Sequence, residues 1–112
     1  MQIGIYADAA GEPGALLGAS ETRAVTSTSS GHWEAFGFAP AEQVDLIEST
    51  HVWLAIHASA SINSRSSDGA NQNDGRRLIS QAFGSGLPDP YGAGSSYSNT
   101  RGMRMLVWTN PS

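Results

Sequence analysis

Three histidines, ten carboxylates and no cysteine bound the chemistry open to this 112-residue chain. Without cysteine there is no thiolate nucleophile, no disulfide scaffold and no sulfur-ligated metal. Of His32, His51 and His57, only the last two share an extended segment. Six residues of strand hold them about 20 Å apart, too far to chelate one ion. The loop 68–75 offers oxygen ligands at Asp68, Asn71, Asn73 and Asp74, the donor type that calcium takes. Their spacing departs from the EF-hand pattern, and the same residues suit any solvated turn, so an ordinary loop is expected. His32 and Glu34 share one face of one segment and form the only suggestive acid–base pair. No nucleophile motif stands beside them, and neither G-x-S-x-G nor a phosphate-binding loop is present. The expectation is a protein without catalysis, cofactor or metal, with a small hydrolase as the distant alternative.

The aromatic residues are more informative. Suppose the aliphatic face built from Ile3, Ile5, Val52, Leu54, Ile56, Met103, Met105 and Val107 is the core. Its reverse then carries Tyr6, Trp53, His57, Arg104, Leu106 and Trp108, where a solvent-facing sheet would be polar. Three explanations stand side by side. The rings stack on sugar, with Arg104 and His57 supplying hydrogen bonds. They pack on another subunit, where Trp and Tyr are enriched. Or they lie beneath the chain's own long loops, 59–75 and 84–99. On the first two, Tyr6, Trp53, His57, Arg104 and Trp108 are the ligand- or partner-binding residues.

These side chains need strands to hold them. Segment 2–7 alternates Ile3, Ile5 and Ala7 with Gln2, Gly4 and Tyr6, the period of two that marks a strand. Turn formers fill 8–14, a short apolar piece follows at 15–19, and β-branched residues favour strand over 23–28. Segment 32–38 reads as another strand. Helix and strand compete over 41–48, where eight residues would make a marginal helix, so a short strand is expected. The strongest strand is 51–58, with Val52, Leu54, Ile56 and Ala58 on one face and Trp53, Ala55 and His57 on the other. Beyond it come a loop to 75, a strand over 77–83, a loop over 84–99 and a closing strand over 101–109.

Charged residues are only 14% of the chain, while 13 Gly and 16 Ser enrich it in turn formers. That palette favours an all-β protein. Seven or so short strands with turns between predict an antiparallel β-sandwich of jelly-roll type, one domain over 1–112. The net charge is −4, with six Arg and no Lys. Nucleic acid is therefore not an expected partner. No apolar run approaches the ~18 residues of a membrane helix, and no signal-peptide pattern opens the chain.

Gly4-Ile5-Tyr6-x-Asp8-x-x-Gly11-x-Pro13-Gly14-x-Leu16-Leu17 resembles the opening hairpin of a jelly-roll module found in phage tail and bacterial surface proteins. Val44-Asp45-Leu46 with Val52-Trp53-Leu54-Ala55-Ile56-His57 resembles its central stretch, and Leu87-Pro88-Asp89-Pro90-Tyr91 its C-terminal part. Val52 stands where that pattern has an aromatic residue, and its leading strands are missing. The resemblance implies a non-enzymatic structural or binding module, some relatives being carbohydrate-binding-like. It also implies a place in a phage tail, virion or cell envelope. With the leading strands missing, 2–7 is expected at a sheet edge, where unpaired groups invite a homo-oligomer.

Overall fold

A computed structural model describes residues 1–25, 34–59, 76–78, 81–92 and 95–97, the segments 76–78 and 95–97 by backbone alone. The chain is β-rich and antiparallel, and no α-helix occurs among the described residues. Strands β1 (Gln2–Ala9), β2 (Glu12–Ala19) and β3 (Val52–His57) form one sheet in the order β2-β1-β3. Strands β4 (Arg76–Leu78) and β5 (Ser95–Tyr97) form a separate antiparallel pair.

The β1–β2 hairpin is tighter than the run of turn formers suggests. Only Ala10 and Gly11 lie between the strands, with φ of 55° and 84°. Two successive positive φ values give the turn whose twist matches that of the flanking strands. The Gly11 N–H donates to Asp8 Oδ2 at 3.2 Å, tying the turn to its own strand. Pro13 and Gly14, expected in the turn, lie within β2, and Pro13 sits opposite Asp8. The strand absorbs them through register shifts; one leaves Leu17 as an extra residue between Gly18, opposite Ile5, and Leu16, opposite Tyr6.

Along β1 and β3 the register runs from Gln2 opposite His57 to Ala7 opposite Val52. Directly opposed residues share a face. Gly4 and Tyr6 therefore lie with Ala55, Trp53 and His57, while Ile3, Ile5 and Ala7 lie with Ile56, Leu54 and Val52. This is the division that period two predicts. The position of β1 is not as expected: it is the central strand, paired on both sides, and the edge strands are β2 and β3 among the described residues. The buried hydrophobic side chains among the described residues, Tyr6 at 0% exposure and Ile5 at 8%, come from opposite faces of β1. Both faces of the sheet are covered at its centre.

The chain packed on the sheet is irregular: 87–91 lies over the Tyr6 face and 42–44 against Gly18. Segment 34–38, expected as a strand, is not one, although Glu21 N–H donates to Gly37 O at 2.9 Å. Arg23 fixes this segment: its guanidinium donates to Ala35 O, meets Glu34 at 3.5 Å and lies over the Phe36 ring. The strand expected over 41–48 is replaced by a 3-10 turn, Pro40–Glu42, and a stretch without regular structure. Pro40 has no N–H for a ladder, and Glu42 gives its carboxylate to β2 instead: Ala19 N–H donates to Glu42 Oε2 at 2.9 Å. The strand expected over 77–83 is short, since Phe83–Ser85 is a 3-10 turn, and the loop expected over 84–99 contains β5. Segments 26–33, 60–75 and 98–112, with the closing strand expected at 101–109, lie outside the described residues.

Candidate functional site

The aromatic face of the β1–β3 pair is the centre of the candidate site, and it is roofed by residues 81–91. Tyr6 is fully buried, and its hydroxyl donates to Pro88 O at 2.7 Å. The Tyr91 ring meets Tyr6 edge-on, with centroids 5.2 Å apart and planes at 84°. Leu87 reaches over Gly4, so close that a Cβ there would stand 2.5 Å from its Cδ1. At the far end His57 Nε2 lies 3.0 Å from Gln81 O, and its ring tilts against Phe83 at 5.0 Å. The carbonyl fixes Nε2 as the donor, while Nδ1 is buried without a hydrogen-bond partner.

Of the expected ligand- or partner-binding residues, Tyr6 and His57 lie as core and roof contacts. Burial above all, then the neighbouring Tyr91 and Asp89, raises the Tyr6 phenol from 10 to about 12. It is neutral at ordinary pH. Trp53 is half-buried and remains beside this cluster, its Nε1 donating to Asp8 Oδ1 at 2.8 Å. That hydrogen bond, with a second from Gly11 and the nearby His51, holds the Asp8 carboxyl below its usual range. Arg104 and Trp108, with Leu106, lie outside the described residues, as do Asp68, Asn71, Asn73, Asp74 and His32. Glu34, the partner expected for His32, ion-pairs with Arg23.

Asp8 is more than a turn residue: it locks both the hairpin and the Trp53 indole. The turn expected at Ser49-Thr50 is present and spans 47–50; what the sequence did not foretell is that it holds Leu46 and Ile47 outward. Thr50 donates to Ile47 O through its N–H at 3.2 Å and its hydroxyl at 2.6 Å, and Ser49 takes a φ of 65°. This firmly bonded turn holds Ile47 out at 69% exposure, beside Leu46 at 43%. The clue in the sequence was the failure of Val44, Leu46 and Ile47 to fit either period.

An open groove of about 490 Å³ runs along Ser20, Glu21, Phe38 and Glu42. Its carboxylates accept backbone N–H groups, Glu21 from Gly37 and Glu42 from Ala19, so they are structural. Among the described residues no three His, Asp or Glu side chains gather as a metal site. No helix among them is long and apolar enough to cross a membrane. Comparison with protein-family models, curated proteins and solved structures finds no match to the chain.

Proposed function

We propose that the protein is a non-catalytic structural or binding module that packs against other subunits, its own copies included, in a surface assembly such as a phage tail, virion or cell envelope. Its proposed architecture is a jelly-roll sandwich with the β2-β1-β3 sheet as one layer. The antiparallel pairing and the cover on both faces of β1 support that architecture. The observation that carries the functional reading is the bonded turn at 47–50, which presents Leu46 and Ile47 to solvent. A hydrogen-bonded frame holding apolar side chains outward suits a protein contact. Burying an isoleucine contributes about 1.5–3 kcal/mol, or roughly ten- to hundredfold in affinity. Sedimentation of the wild type and of Ile47→Asp tests the reading. Concentration-dependent association weakened at least tenfold by the substitution supports it; a wild type that stays monomeric at near-millimolar concentration overturns self-association.

A second reading, carbohydrate binding, rests on Trp53. An indole clamped at its N–H by Asp8 has the fixed orientation that sugar stacking needs. A glycan array probed with the wild type and Trp53→Ala separates the two readings. Sugar binding that Trp53→Ala abolishes favours the second.

A further inference from the structure

The edge of β2 away from β1 is held in an unusual way. Three of its main-chain groups are satisfied by distant segments, and none of the three by a strand. Ala19 N–H donates to Glu42 Oε2 at 2.9 Å, and Leu16 N–H donates to Asp89 Oδ1 at 3.0 Å. Gly14 O accepts from Tyr91 N–H at 3.0 Å. β2 itself has no charge from Pro13 to Ala19, and Leu17 is 44% exposed at the bulge. An uncharged apolar strand with an open edge is a template for pairing, and proteins ordinarily blunt such edges with charges on the strand. Here the two charges are brought from elsewhere in the chain and sit on the very donors that an added strand would use.

We propose that this edge is a strand-acceptor site for β2 of a second copy, closed in the single molecule by Glu42, Asp89 and Tyr91. The proposal builds on the reading of the protein as a packing module and names the surface. A second copy is the fitting occupant because antiparallel β2–β2 pairing about a two-fold axis sets two uncharged segments together. Main-chain donors and acceptors then take over the bonds that the carboxylates and Tyr91 now make, and Leu17 of each copy gains an apolar neighbour. The carboxylates reach the edge through their side chains and can swing aside, while Tyr91 holds Gly14 O through its main-chain N–H, so the chain at Tyr91 has to shift with them.

The test uses the full chain carrying Ile47→Asp, so that association through the 47–50 turn does not contribute. Glu42→Ala with Asp89→Ala is added, and amide hydrogen exchange at Leu16 and Ala19 is followed by NMR beside sedimentation. In dilute solution both amides should exchange about ten- to hundredfold faster than with the guards in place, as expected for losing a bond to a charged acceptor. On concentration they should slow again while the mass moves to that of a dimer. Amides that stay fast at every concentration, with an unchanged mass, overturn the proposal. Should the double variant lose its near-ultraviolet signal, Glu42→Ala alone, read at Ala19, decides by the same criteria. Failure here leaves the packing module standing, because that reading is decided by Ile47→Asp against the wild type.

Discussion

Tyr6→Phe removes one oxygen from the most buried side chain of the protein and leaves its ring. The lost bond is that from the hydroxyl to Pro88 O, at 2.7 Å, and the carbonyl left behind sits under the same roof. A bond of this kind contributes about 1 kcal/mol net, and stranding its partner raises the loss to about 1–3 kcal/mol. For a domain near this size that lowers Tm by roughly 4–8 °C for each kcal/mol. A second signature lies at high pH. The phenol is raised from 10 to about 12 in the folded chain, so the unfolded chain gives up this proton first. Stability from this group is complete below pH 10 and is lost as pH climbs toward 12. Tyr91, also raised by burial, leaves a smaller dependence in the same direction. Urea unfolding at pH 7 and at steps above pH 10 reads both effects. Tyr6→Phe should start less stable and decline less steeply with alkali. A variant as stable as the wild type at pH 7, or one declining in parallel with it, would show that the roof does not hold Tyr6 as described.

Gly18→Ala should cost about 1–3 kcal/mol, because the added Cβ collides with the Glu42 carbonyl and meets Val44 Cγ2 at 2.8 Å. Gly84→Ala, with nothing within 4 Å, is the matched control; chemical denaturation should separate the two cleanly. Asp8 is held below 3.8, so the hydrogen bonds it accepts persist above that value and weaken as pH falls through its lowered range. Trp53 fluorescence should titrate there, and Asp8→Ala should remove the transition.

The two faces of β1 and β3 were legible because a strand writes them locally: every second residue of 3–7 and 52–56 is of one kind. The partner of each strand is not written locally. The edge position expected for β1 followed from the missing leading strands of the resembled module; the partners that place it centrally, β2 and a β3 up to 55 residues away, are not written in its own residues. The fate of Tyr6 was hidden for the same reason. Leu87, Pro88 and Tyr91 form its roof in irregular conformation, with no period to reveal a buried side. The hairpin turn was displaced in the reading because Pro13 and Gly14 outweigh Ala10 as turn formers, although the strand accommodates them by shifting register.

The guard on Leu16 also has a timing. Asp89 lies 73 residues further along the chain. At a synthesis rate of about 5–20 residues per second, the β1–β2 hairpin leaves the ribosome roughly 4–15 s before that carboxylate can reach it. Glu42, 23 residues after Ala19, arrives much sooner. During this interval Tyr6 has no roof and β2 keeps only one of its two acidic guards. A neighbouring nascent chain on the same messenger would carry the same half-guarded hairpin at that moment.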